Sequence, residues 1–507
     1  MNKLEKIVFW LCLILSITIV IIIKPLGNLD EMWNFNVSRC IADGLIPYKD
    51  ISMVSTPLLG FLLAIPLKIF GSQLIISRIS AIIMSVIVFV LASKIFNKLE
   101  IKNEISRLIL LLLFVCIYDF LALNYNLLVL IFLLAIILLE VKQQKILKCN
   151  KGIVDFFIGI LAGLSVCSKQ SVGLIICFFV VICPICCIKN KRNIRNCFKK
   201  ILFRLLGMAI PILAFLIYLN VVNAYDDFLD YSVFGVKTFS NKIPYLKLLT
   251  NKTYIIRILA IMVPVVLITA VIISIVNKFK RKDDCILYIL TAYSIAMFSI
   301  VFPISDKEHF FTAMIPSWIL SGYLLSLLFK NGEKFNFKYF IEFINIFTML
   351  STIALTLWIE YNHNEFLGRI TKFKFQNHFD YVYIDNDVDK MISEIDDYIK
   401  KSEKKVYILD SSAAMYMIPI DRYNKDFDMF CKGNFGGSGE QKIIERIKNE
   451  DALYLILKYE GYLNWQNPNE VRKYIKENME LVESKEPFDV YKNKEILGTE
   501  EKTEDSN

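Results

Sequence analysis

The sequence predicts a polytopic α-helical membrane protein of about eleven transmembrane helices, amino terminus inside and carboxyl terminus outside, with a C-terminal extracytoplasmic α/β domain. Three observations predict it. The 507 residues are 55% hydrophobic with a mean hydropathy of +0.50, well above the apolar share of a soluble domain. The apolar residues fall in blocks close to the ~20 residues that cross ~30 Å of hydrocarbon, about twice the length of a barrel strand and without its alternation. Basic residues crowd alternate connections, as they do in short cytoplasmic loops.

The first block, 7–23, follows Lys3 and Lys6 as a signal peptide would. It is longer than a signal core and no small-x-small cleavage site follows it, so it reads as a retained anchor. Further spans are expected at 74–93, 107–123, 126–141, 153–168, 171–188, 201–222, 255–276, 285–302, 311–329 and 339–359. The connections "SKIFNKLEIKNEISR", "VKQQKILKCNK", "KNKRNIRNCFKK", "NKFKRK" and "KNGEKFNFK" carry the positive charge and set the orientation. The net charge of +9 is mostly this topological signal, which argues against nucleic acid as a partner. Of the 12 cysteines, only Cys40 and Cys431 fall in expected exterior segments, so no disulfide framework is implied. The cluster Cys183 to Cys187, "CPICC", lacks the second half of a closed metal site and reads as apolar packing.

A membrane domain therefore covers 1–360, with a long first exterior loop over 26–73, and a soluble domain covers 361–507. After Glu360 charges become dense and apolar runs shorten to strand length. "KKVYILD" and "ALYLILKY" read as buried strands, 387–402, 439–449 and 468–478 as helices, and "ELVESKEPFDVYKN" as a closing hairpin. The segment "GNFGGSG", 433–439, lacks the phosphate-loop pattern and reads as a flexible turn.

The loop after the first span is too long for a bare connector. Asn28 can cap a helix with Glu31 three residues on, and Trp33, Val37, Cys40 and Ile41 then share a face, as in an interfacial helix. Asp30 and Glu31 would complement its dipole, a bland role worth a few tenths of a kcal/mol up to ~1. The rest of the loop carries more than a dipole needs: Gly44, then Pro47-Tyr48-Lys49-Asp50, Thr56-Pro57-Leu58, Ile69-Phe70-Gly71 and Arg78 opening the next span.

An acid pair after the first span, a G-x-x-P-Y-x-D turn, a Pro-Leu helix start, "IFG" and an Arg at the second span, in that order, resemble the GT-C membrane glycosyltransferases. The likeness is to the bacterial branch near the protein O-mannosyltransferases and the lipid A aminoarabinose transferases, and it covers residues 5 to about 95, with the later spans in outline. It implies transfer of a sugar, with inversion, from a polyprenyl-phosphate donor to a protein, glycolipid or cell-wall polymer acceptor outside the plasma membrane. This chemistry needs a carboxylate as general base, for which Asp30 is the candidate. Its leaving group is already a stable anion, so cations are needed rather than a second carboxylic acid.

Phosphate-binding groups are expected on the same face: the cation Lys169 with the neutral donor Gln170 between the fifth and sixth spans, and Lys307 and His309 in "FPISDKEHFF". Lys169 is the only charge between Asp155 and Lys189, in a turn short enough to face the bundle. The resemblance supports both turns, since relatives carry a Lys after the fifth span and an Arg-x-x-His-Tyr-like string before a Pro-containing one. Here Lys307 stands for the Arg and Phe310 for the Tyr, with Pro316 beyond them, and Ser55-Thr56-Pro57 stands where many relatives have two prolines. Tyr48 and Asp50 line the acceptor side or hold their loop, the latter being preferred. Glu31 assists Asp30 or binds a divalent ion as in the oligosaccharyltransferase branch; no metal or other cofactor is predicted, because the bacterial relatives nearest in pattern need none. The exterior segment after the seventh span, 225–251, reads as a second surface helix. A lipid or sugar flippase is the alternative, but carriers place charges near the midplane, whereas these spans read as almost free of them. An anchored sensor would need neither the long first loop nor the Lys169 turn.

Overall fold

The computed structural model describes residues 3–27, 29–117, 121–145, 151–188, 194–238, 243–280, 284–329, 378–423, 429–458 and 467–494. The expected cap Asn28, the expected span 339–359 and the change of composition at Glu360 lie outside them. The chain divides into two compact units. One comprises Met1–Lys49, Ser55–Asp226 and Lys242–Asp385; the other comprises Asp50–Val54, Asp227–Asn241 and Asn386–Asn507.

The larger unit is helical, because in hydrocarbon a segment must satisfy its own backbone hydrogen bonds. Its elements are α1 (Lys3–Ile22), α2 (Leu29–Ala42), α3 (Leu58–Phe70), α4 (Leu74–Lys98), α5 (Asn103–Ile117), α6 (Tyr125–Lys145), α7 (Lys151–Ser168), α8 (Gln170–Cys186), α9 (Ile194–Val221), the first half of α10 (Tyr225–Phe228), α11 (Leu246–Leu249), α12 (Tyr254–Phe279), α13 (Cys285–Phe298) and α14 (Lys307–Phe329). Six of these helices, α1, α4, α6, α9, α12 and α14, are long and apolar enough to cross a membrane, with α3, α7, α8 and the segment of α13 as shorter apolar helices. The chain is a multi-pass membrane protein. Helix α12 turns Ile258, Ile261, Val265, Ile268 and Ile272 outward, the surface a lipid-facing helix presents, whereas Leu130, Leu133, Leu134 and Ile137 of α6 are wholly enclosed.

Between helices already in lipid there is no hydrophobic drive to associate, so close contact rests on small residues. A Cβ on Gly159 of α7 would lie 2.1 Å from the Arg204 carbonyl oxygen of α9, and one on Gly207 would lie 2.1 Å from that of Phe156. The two backbones touch there.

Two expectations change. Of the face of α2 expected to lie on a surface, Trp33, Val37 and Ile41 are part-exposed and Cys40 is buried. Glu31, Met32, Phe35, Asn36, Ser38, Arg39 and Cys40 are among its buried residues, and a Cβ on Gly60 of α3 would meet Ile41 Cδ1 at 2.8 Å. Its polar residues find partners inside the protein, as when Ser38 Oγ donates to the Asn34 carbonyl at 2.6 Å, so α2 can be enclosed on more than one side.

Nor are the helices free of charge. The expected spans 126–141, 153–168 and 201–222 themselves carry Glu140, Asp155 and Arg204, all buried. Arg204 Nη1 meets Glu140 Oε1 at 2.6 Å, its Nη2 meets Asp155 Oδ1 at 2.8 Å, and the Tyr293 hydroxyl donates to Glu140 Oε1 at 3.0 Å. Pairing the two acids with an arginine offsets most of their charge, which is how ionisable groups persist at such depth.

The smaller unit is α/β. It contains a π-helical turn (Leu229–Phe234) and a 3₁₀ turn (Gly235–Thr238), then α15 (Asn386–Lys401), β1 (Val406–Ile408), α16 (Ala413–Met417), α17 (Glu440–Asn449), β2 (Leu453–Leu457), α18 (Asn469–Asn478), β3 (Glu480–Lys485) and β4 (Phe488–Lys492). The sheet order is β1-β2-β4-β3, with β1 parallel to β2 and the remaining pairs antiparallel. Leu453 to Leu457 are buried on both faces, and the core takes Ile443, Ile447, Val471 and Ile475 from α17 and α18. The Gly-rich turn is bound rather than free. Gly437 N–H donates to Asp230 Oδ1 at 2.7 Å, Lys442 Nζ meets Asp230 Oδ2 at 2.7 Å, and Gly436, at φ +77°, leaves the room that a Cβ would take from that carboxylate.

Candidate active site

Three connections of the larger unit supply its ionisable cluster. The first is the single residue Lys169 between α7 and α8. It is held extended at φ −151°, ψ 109°, with its N–H on the Ser165 carbonyl at 3.0 Å and its own carbonyl accepting from Gly173 at 2.9 Å. Gly173 permits so abrupt a reversal: a Cβ there would sit 2.4 Å from Val166 Cα. Thr56 Oγ1 donates to the Val166 carbonyl at 2.8 Å and satisfies one of the open carbonyls at the end of α7.

Lys169 Nζ donates to Asn126 Oδ1 at 2.9 Å and lies 5.0 Å from the centroid of the Tyr125 ring. Burial lowers its pKa to about 8, against the opposing charges of Asp30 and Asp306.

The second connection precedes α14. Asp306 Oδ1 accepts from the backbone N–H of His309 at 2.8 Å, as an N-cap does, and lies 2.8 Å from His309 Nδ1. Burial works to raise the Asp306 pKa, but the His309 hydrogen bonds and charge, with Lys169, hold it below the ordinary carboxylate value. Phe310 is wholly buried against Tyr245, ring centroids 6.2 Å apart, and fixes the first turn of α14.

The third is the first turn of α2. The carboxyl of Asp30 hydrogen-bonds that of Glu308. Burial, then the Glu308 charge and hydrogen bond, then Asp306, push the Asp30 pKa well above the ordinary value; Lys169 opposes them.

Of the residues singled out in the sequence, Asp30, Lys169 and His309 thus enter one electrostatic neighbourhood. Glu31 points elsewhere: both its oxygens take Arg78, from Nε and Nη2 at 3.0 Å, while Arg78 Nη1 donates to the carbonyls of Ile22 and Lys24 at 3.1 and 2.6 Å. That pair ties α2 to α4 and closes the end of α1. The Tyr48 hydroxyl donates to the Ser55 carbonyl at 2.9 Å, at a residue with φ of 70°. Asp50 belongs to the smaller unit. Gln170 opens α8, and Lys307 is exposed at the first residue of α14.

Asp306 and Glu308 stand in the turn that the sequence singles out but had no role assigned there, and Asn126 escaped the sequence reading. Asn126 left one signal: Asn124 Oδ1 already caps α6 by accepting from Leu127 N–H at 2.8 Å, so a second, buried Asn two residues later needed another purpose. Among the described residues, no three His, Cys, Asp or Glu side chains are arranged to hold a metal ion.

No family model and no curated protein matches the sequence. Solved structures do. ArnT from Cupriavidus metallidurans bound to undecaprenyl phosphate matches with a TM-score of 0.58 at 11% identity, over 98% of this chain and 99% of that one. Its apo state gives 0.59 at 10%, over 97% and 98%. The Archaeoglobus fulgidus oligosaccharyltransferase, in complex with Zn and sulfate, gives 0.50 at 13%, over 95% and 73%. The chain has the fold of the GT-C membrane glycosyltransferases.

Proposed function

We propose that the chain is a glycosyltransferase that takes a hexosyl or pentosyl group from a polyprenyl-phosphate donor and passes it, with inversion, to an acceptor at the outer face of the cell membrane. In this reading the chain makes eleven spans, with the amino terminus inside and the soluble carboxyl-terminal part outside. What carries it is the meeting of the Asp30–Glu308 carboxyl pair with Lys169 and the His309–Asp306 pair. The fold shared with an ArnT bound to undecaprenyl phosphate supports the donor class.

In this mechanism the acceptor hydroxyl attacks the anomeric carbon, the bond from that carbon to the phosphate oxygen breaks, and polyprenyl phosphate departs with the electron pair. The hydroxyl proton passes to Asp30. A carboxylate whose basicity is raised by burial takes it better than an ordinary one, and such a base contributes roughly 10²- to 10⁴-fold. Lys169 meets the charge growing on the phosphate in a water-poor site, where a preorganised donor counts most. His309 adds a second donor, with Asp306 fixing its ring through Nδ1 and Nε2 turned to the phosphate. Gln170 and Lys307 flank the phosphate side; Tyr48 and Asp50 hold the loop on the acceptor side; Glu31 holds α2 through Arg78. Protein cations carry the phosphate, and no step is routed through a metal.

The test supplies membranes containing the protein with labelled polyprenyl-phosphate sugars. Label should move to a second molecule with inverted anomeric configuration. Label that crosses the bilayer still attached to its lipid would mean a flippase instead.

A further inference from the structure

Helix α8 has Lys169 at one end and a group of cysteines at the other, roughly 25 Å away along its axis. Pro184 in its last turn cannot donate to the Val180 carbonyl, which takes Arg204 Nη1 at 2.8 Å instead. The turn still closes, with the Cys187 N–H on the Cys183 carbonyl at 3.3 Å. From α12, Lys278 Nζ donates to the carbonyls on either side of Cys187, that of Cys186 at 3.1 Å and that of Ile188 at 3.3 Å. The end of α8 is thereby tied to the stretch of chain that opens α13 with Cys285.

The Cys187 thiol hydrogen-bonds that of Cys285. Both line a cavity of about 410 Å³, and both are part-exposed, whereas Cys183 and Cys197 are buried. Cys183 therefore packs as an apolar residue does, while Cys187 meets a second sulfur at an opening that admits a small molecule. Thiol–disulfide exchange requires access and a second sulfur within reach of the first, and this pair has both.

We propose that Cys187 and Cys285 form a redox-active dithiol that closes reversibly to a disulfide, joining the end of α8 to the start of α13, with a low-molecular-weight disulfide as oxidant. One cysteine, as its thiolate, attacks a sulfur of the oxidant, whose S–S bond breaks and releases the first thiolate. The other cysteine then attacks the mixed disulfide and releases the second. The two cysteines are oxidised, the oxidant is reduced to two thiols, and the two cysteine protons end on them. The pair flanks the basic connections 189–200 and 277–282, which the proposed orientation places inside the cell, where disulfides are transient and serve redox sensing. The pairing itself depends neither on that orientation nor on sugar transfer.

The test treats the full-length protein in detergent with oxidised glutathione, alkylates the remaining thiols with N-ethylmaleimide, and maps the digest by mass spectrometry. A peptide pair joining Cys187 to Cys285 should appear, about 2 Da lighter than its two reduced peptides together. Alkylation of both residues should fall roughly ten-fold and return after dithiothreitol. Phenylarsine oxide, which bridges neighbouring thiols, should protect the reduced pair from oxidation. Cys187→Ser and Cys285→Ser should each lose the cross-link and leave glutathione on the remaining cysteine.

Stable glutathione adducts on Cys187 and Cys285 of the native protein, without a cross-link between them, would overturn the proposal. So would a cross-link from the exposed Cys186 in place of Cys187, or phenylarsine oxide bound as tightly by Cys285→Ser as by the native protein. Should either variant fail to fold, the cross-link map of the native protein decides the matter.

Discussion

The carboxyl group of Asp30, in the first turn of α2, is hydrogen-bonded to that of Glu308, in the first turn of α14. Two helix starts remote in sequence thus bring their carboxyl groups together, beside a lysine that burial has made easier to discharge. That relation yields the first two predictions.

Asp30→Asn keeps the shape and the hydrogen bond but removes the base. Transfer should fall about 10²- to 10⁴-fold, with the protein inserted and folded as judged by its thermal transition. Turnover within a few-fold of native would remove Asp30 from the chemistry.

Glu308→Gln takes a negative charge from beside Asp30, so the Asp30 pKa should drop. A base works when deprotonated, hence the rising limb of the pH profile of kcat/KM should move to lower pH, and the plateau should fall because a weaker base remains. A limb that does not move would separate Glu308 from the proton.

Lys169, with its pKa lowered to about 8, is cationic below that pH and loses its charge above it. Donor-dependent kcat/KM should therefore decline as pH rises through about 8. Lys169→Arg, charged throughout, should abolish that decline; Lys169→Ala should weaken donor binding by roughly 10- to 100-fold, the worth of one hydrogen bond to a charged group, with less effect on the acceptor. Equal losses for both substrates would make the residue structural.

Arg78 and Glu31 are 0% and 2% exposed. Arg78→Met leaves a buried carboxylate alone and should cost about 3–5 kcal/mol, whereas Arg78→Met with Glu31→Leu should recover much of that. Thermal denaturation of both variants checks it. If the double variant is as unstable as the single one, the carbonyls of Ile22 and Lys24, rather than Glu31, are what Arg78 serves.

Much of the architecture was legible in the order of residues. The blocks at 74–93, 126–141 and 255–276 become α4, α6 and α12, because twenty apolar residues have few alternatives to a helix in lipid. The short strands around Val406 and Leu453 and the hairpin at 480–492 were visible in their length and bounding turns. The single charge at Lys169 drew notice for its isolation. By contrast, Glu31 looked like an equal of Asp30, one position away, until its pairing with Arg78 parted their roles. Nothing in "YNLL" or "DKEHF" reveals that Asn126 holds Lys169 or that Glu308 reaches Asp30.

The sequence by itself determined where helices form and which of their ends bear charge, since each apolar block must close its own hydrogen bonds whatever its neighbours do. Only the tertiary structure decided which charged ends meet. A carboxylate's proton affinity depends on burial and on charges a few ångströms off, and those distances arise from helix packing, where glycines such as Gly159, Gly173 and Gly207 let backbones touch.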